Sequence, residues 1–92
     1  MPYDFKNLRT LLVSAGITIA EAAHIFKTSR TTLYSWCAGN APNQELLLVN
    51  TTRLIRVIQK ALDAGDLPVK GVAFKEDRIN EITKVLKRHL SG

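Results

Sequence analysis

Residues 18–39 read TIAEAAHIFKTSRTTLYSWCAG, and the punctuation of that run decides the fold. Thr18 and Glu21 stand at capping-box spacing. The threonine oxygen takes the Glu21 amide and the carboxylate returns to the Thr18 amide, which starts a helix. That helix ends near Phe26. Ser29 caps the next one, which runs through about Cys37 and is closed by Gly39. Two short helices joined by a tight turn must cross closely, and Ala23 is small where they would meet. Ile25 and Phe26 close the first helix with apolar surface. On the second, Leu33 and Trp36 face inward and leave Arg30, Thr31, Tyr34 and Ser35 outside.

Helical spacing continues on both sides of this unit. Phe5, Leu8, Leu11, Leu12 and Ala15 predict a helix over about 5–15, with Asp4 as cap, Tyr3 and Leu8 placed for a hydrophobic staple, and Gly16 as stop. After a break at residues 39–43, a long helix is expected over 44–64, ended by Gly65. Its apolar residues fill more than one face. Leu47, Leu54, Ile58 and Leu62 form one stripe, with Leu48 and Ile55 to one side and Leu46 and Val57 to the other. One stripe packs on the core, and the surplus must meet the last helix or another subunit. Residues 66–74 carry Pro68 and Gly71 and read as a connector with room for a short extended segment. The final helix, about 75–90, is expected to bury Ile79, Ile82, Val85, Leu86 and Leu90 and to expose Lys75, Arg78, Lys84, Lys87 and Arg88. The expected fold is therefore all-α with about five helices. Residues 1–65 form a helix-turn-helix domain, and residues 66–92 an extension of the same unit or of a dimer interface.

Ninety-two residues make one domain, and 46% hydrophobic with 23% charged residues is a globular composition. The longest apolar run, Leu46 to Val49, is too short to cross a bilayer. Asp4 and Lys6 stand where the apolar region of a signal peptide would begin. A single cysteine, Cys37, permits no internal disulfide and fits a reducing compartment. These features predict a cytoplasmic protein. The net charge of +5 is carried by the two ends: +2 in residues 1–40, 0 in 41–66 and +3 in 67–92. A polyanionic partner is compatible with that balance, though charge alone does not single one out.

Residues 18–39 resemble the helix-turn-helix of the Cro and phage-repressor (lambda-repressor-like) family. Many members carry a pattern close to T-x-x-E-x-A-x-x-L-G-V-S-x-x-T-I-x-x-W-E-x-G. Thr18, Glu21, Ala23, Ser29, Thr32, Trp36 and Gly39 match it, and Phe26 and Leu33 are conservative changes. With the flanking helices the resemblance covers about residues 4–64. Lys27 replaces the usual turn glycine, Ile19 a frequent glutamine, and Cys37 and Ala38 a polar pair. In combination with the short basic extension, the motif also resembles regulators of phages and mobile elements, including autorepressors that accompany anti-CRISPR genes.

The exposed side chains of the third helix supply the chemistry of reading, and the resemblance implies the same positions. Arg30 has the fork geometry that pairs with guanine O6 and N7, and Thr31 suits a base edge or a thymine methyl. Tyr34 and Ser35, one turn on, reach bases or flanking phosphates. Thr18, Lys27, Thr28, Asn40 and Asn43 lie near helix starts and serve as phosphate anchors. The motif holds two formal cations, Lys27 and Arg30. Tight binding therefore calls for a homodimer on a palindromic site, with half-sites about 34 Å apart. Candidate dimer residues are Leu48, Ile55, Val57, Leu62, Ile82 and Leu86.

Together these readings predict a sequence-specific transcriptional regulator of double-stranded DNA, a dimeric repressor that occludes a promoter. The competing reading is a protein-interaction module, an antitoxin or assembly adaptor, gripping its partner with helix 44–64 and the last helix. A third is a ring-forming DNA-packaging subunit. Trp36 reads as core and Cys37 as a small core residue. His24 and His89 lack ligand-spaced companions, so no metal or cofactor is expected. No nucleophile–base pairing or glycine-rich phosphate loop is present, and no catalytic activity is expected.

Overall fold

The computed structural model describes residues 3–71 and 74–91. A 3-10 turn at Phe5–Asn7 runs into α1 (Leu8–Ser14), followed by α2 (Ile19–Ile25), α3 (Arg30–Cys37), α4 (Glu45–Asp63) and α5 (Lys75–Ser91). The architecture is all-α, and among the described residues no strand occurs, in the connector or elsewhere. Val72 and Ala73 of that connector lie outside the described residues. The expected first helix is divided, because the Asp4 carboxylate accepts from the Lys6 amide at 3.0 Å and tightens the first turn. The Tyr3 ring lies edge-on to Phe5, 5.3 Å between centroids.

Helices α1 to α4 end by one device. A residue with positive φ follows the last turn, and the next amide bonds back to the carbonyl five residues earlier: Ile17 to Leu12, Thr28 to Ala23, Asn40 to Ser35 and Asp66 to Ala61. This is the Schellman arrangement, which satisfies carbonyls the helix leaves unpaired. Glycine supplies the positive φ at three of these ends. Gly16 matters most, because a Cβ there would stand 2.5 Å from the Pro68 Cβ. Gly16→Ala is therefore expected to destabilise by about 2 kcal/mol or more, combining left-handed strain with overpacking. Urea melts followed by circular dichroism would measure it.

One core joins all the helices. Leu8, Leu11 and Leu12 of α1, Ala22 and Ala23 of α2, Leu33 and Trp36 of α3, Ile55, Val57, Ile58 and Ala61 of α4, and Ile82, Val85 and Leu86 of α5 are all buried in it. Helix α4 packs on α1 and α5, and α5 also packs on α2. Among the described residues beyond 65, Leu67 and α5 thus share that packed core.

Burial along α4 departs from the expected stripe. Ile58 is fully buried, but Leu54 and Leu62 are half-buried and Leu47 is 39% exposed. Two small residues, Thr51 and Ala61, are buried on α4 beside Ile58. Both flanks, Ile55 and Val57, are buried as well. At the start of α4, Leu46 and Val49 stand in solvent, while Leu48 between them packs partly against the core. On α5, Leu90 is also exposed (39%) and Ile79 half-buried, where both were expected in the core.

Arg78 reverses another expectation. It was placed on the solvated face of the last helix, yet its Nε donates to Glu21 Oε2 at 2.8 Å and its Nη2 to the Gly16 carbonyl at 2.6 Å. Glu21 is 2% exposed. A buried carboxylate requires a cation or several donors, and α5 brings the cation. His89 makes a second tie, with Nε2 2.8 Å from Asp66 Oδ2 just beyond α4.

Candidate nucleic-acid interface

Helices α2 and α3 pack together across the turn at residues 26–29, and α3 also lies on α1 and the 3-10 turn. Its start is fixed twice. Ser29 Oγ accepts from the Thr32 amide at 3.1 Å while its hydroxyl donates to Thr32 Oγ1 at 2.9 Å. Leu33 and Trp36 hold the inner face, with Trp36 edge-on to Phe26 at 6.2 Å between centroids. With the helix pinned at these points, its outer face has a defined orientation. Arg30, Thr31, Tyr34 and Ser35 are all exposed on it, and Arg30 has no ion-pair partner among the described residues.

The turn keeps the left-handed conformation although Lys27 occupies it, with φ 54°. Strain of roughly 1 kcal/mol at this residue places a cation at the mouth of the turn, exposed beside the start of α3. Of the other expected phosphate anchors, Asn40 and Asn43 are exposed and Thr28 is half-buried. Thr18 is exposed but its amide is already taken: Glu21 Oε1 accepts from it at 3.0 Å, and Thr18 Oγ1 accepts from the Glu21 amide at 3.2 Å. Only its hydroxyl hydrogen remains to meet a phosphate.

Two further cations reach α3 from the N-terminal segment, and sequence reasoning missed both. The Arg9 guanidinium sits 5.9 Å from the Tyr34 ring centroid, a cation–π distance. The Lys6 side chain lies along Gly39 at the end of α3; a Cβ on that glycine would meet Lys6 Cγ at 3.1 Å. Arg9 is exposed on α1, beside the face that Leu8, Leu11 and Leu12 bury, and the periodicity gave it no role. Four cations therefore lie near α3: Arg9 against Tyr34, Lys6 at its end, Lys27 in the turn before it and Arg30 on its outer face, twice the number within the motif. Burial pushes the Cys37 thiol pKa up, with the Arg9 charge working against that, so the thiolate is disfavoured at neutral pH.

Four of the six expected dimer residues are consumed by the chain's own core. Ile55, Val57, Ile82 and Leu86 are each at most 5% exposed, so their surface is spent almost wholly within the chain. Leu48 and Leu62 are half-buried. Among the described residues no group of His, Cys, Asp and Glu is placed to hold a metal ion, and no single helix is long and apolar enough to cross a membrane. Compared with protein families, with curated proteins and with solved structures, the chain finds no match.

Proposed function

We propose that the chain is a sequence-specific regulator of double-stranded DNA that lays α3 in the major groove and represses by occluding a promoter. The observation that carries this reading is the outer face of α3. A short helix, pinned by Ser29, Leu33 and Trp36, presents a fork donor, two hydroxyls and a phenol to solvent, with three further cations, Lys6, Arg9 and Lys27, near its length and ends. Arg30 supplies bidentate recognition of guanine, Thr31 contacts the neighbouring base, and Tyr34 and Ser35 extend the contact by one turn. Lys6, Arg9, Lys27, Asn40 and Asn43 meet phosphates on either side and set the register. Two copies on a palindromic site double these contacts.

A binding selection from a random duplex pool, with Arg30→Ala in parallel, tests the reading. The wild type is expected to recover a palindromic motif. Arg30→Ala should lose discrimination at one base pair per half-site, by about 1–3 kcal/mol. Lys27→Ala should instead weaken binding evenly across sequences and lower its salt dependence. A pool that yields no motif from the wild type would remove sequence reading from the protein's chemistry.

A further inference from the structure

We infer that the exposed start of α4 is a self-complementary docking face, and that its occupant is the same face of a second copy. The inference deepens the dimeric reading above and replaces the dimer residues that the core consumes. Leu46 and Val49 are 74% and 57% exposed, far more than isolated apolar residues of a packed helix need be. They head an outward stripe, Leu46, Val49, Arg53, Arg56 and Lys60, spaced alternately three and four residues apart, the spacing of a helix seam that meets another helix. Beside that stripe runs an open groove of about 500 Å³ between α4 and the end of α5, lined in part by Val49, Thr52, Arg53, Val57 and Leu90. Glu45, Arg53, Arg56 and Lys60 form no ion pair within the chain among the described residues.

A two-fold axis through Val49 resolves these features together. In an antiparallel pair, residues equally far before and after the axis come level with one another. Leu46, three residues before Val49, then meets Thr52 and Arg53 of the other copy, on the wall of its groove. Each chain thus carries a knob and a hole nearly two turns apart, and the symmetry exchanges them. Glu45, four residues before the axis, comes level with the stretch Arg53–Arg56 of the other copy, so the unpaired acid of one chain answers the unpaired cations of its mate. A parallel pair would set these cations against themselves. The face lies on α4, which packs on α1 and α5, whereas α3 packs on α1, α2 and the 3-10 turn, so docking leaves the reading face free.

Sedimentation equilibrium of the full chain without DNA tests the proposal. Twice the chain mass is expected at tens of micromolar, and Val49→Asp should give a monomer with an unchanged circular dichroism spectrum. Glu45→Lys alone and the Arg53→Glu/Arg56→Glu pair alone should each weaken the dimer at least about fivefold, and the three changes together should restore it. A wild type that stays monomeric at 100-micromolar order, a dimer indifferent to Val49→Asp, or charge changes that do not rescue one another would each overturn the proposal. Failure here is separable from failure of DNA reading, because a monomeric reader would still select a single half-site that Arg30→Ala loses.

Discussion

Trp36→Ala is expected to remove about 3–5 kcal/mol of folding stability, a large part of the roughly 5–15 kcal/mol available to a domain of this size. The indole is 3% exposed and meets Phe26 edge-on, so it is the bulkiest link between α3 and α2. Truncation leaves a cavity that neighbours on two short helices fill only in part. Because Trp36 is the sole tryptophan, far-UV circular dichroism against urea is the suitable probe. A loss below about 1 kcal/mol would mean that α3 is held by something other than this contact. The DNA binding proposed above should fall in this variant only as far as the folded fraction falls, which separates it from substitutions on the outer face.

The second large effect belongs to Arg78. Arg78→Met is expected to destabilise by about 2–3 kcal/mol, below the full 3–5 kcal/mol for breaking a buried pair because the Arg78 side chain is itself a quarter exposed. The variant keeps the aliphatic stem but leaves the Glu21 carboxylate buried without its cation and the Gly16 carbonyl without its donor. Burial by itself would raise the Glu21 pKa. The hydrogen bond and charge of Arg78, with the bonds from Thr18, outweigh burial and hold the group below its ordinary range. A carboxylate whose pKa is lowered by folding stabilises the fold above its unfolded pKa, about 4.3, and that contribution fades as pH falls through the folded value. The gap between wild type and Arg78→Met should therefore be full at neutral pH and close in acid. Urea midpoints across pH 7 to 2.5 would show it; a gap independent of pH would assign the loss to packing instead of charge.

These two residues illustrate what the sequence discloses. Trp36, the Thr18–Glu21 box, the Ser29 cap and the turn are local features, set by spacings of a few residues, and all of them are found where that spacing places them. Arg78 is fifty-seven residues from Glu21. Its helix face reads as solvated because the only sequence cue, an arginine among polar neighbours, is identical for a surface residue and for one that caps another helix. The capping box itself held the missing signal: a buried N3 glutamate asks for a cation, and candidates lay only elsewhere in the chain. The same limit explains Lys6 and Arg9, whose proximity to α3 depends on how α1 crosses it. On α4, periodicity found the inward direction but not the extent of coverage. Residues at its two flanks entered the core while Leu46 and Val49 in its first turns stayed exposed.

In the proposed complex Arg30 reads a guanine through the major groove, and one thermodynamic cycle tests that contact. The selected operator would be compared with the same duplex carrying 7-deazaguanine at the half-site guanine, each titrated with wild type and with Arg30→Ala at physiological salt. Loss of the N7 acceptor is expected to weaken the wild type by about 1–3 kcal/mol and to leave Arg30→Ala nearly unchanged, since the two changes delete the same contact. Equal weakening of both proteins, or none in either, would contradict it.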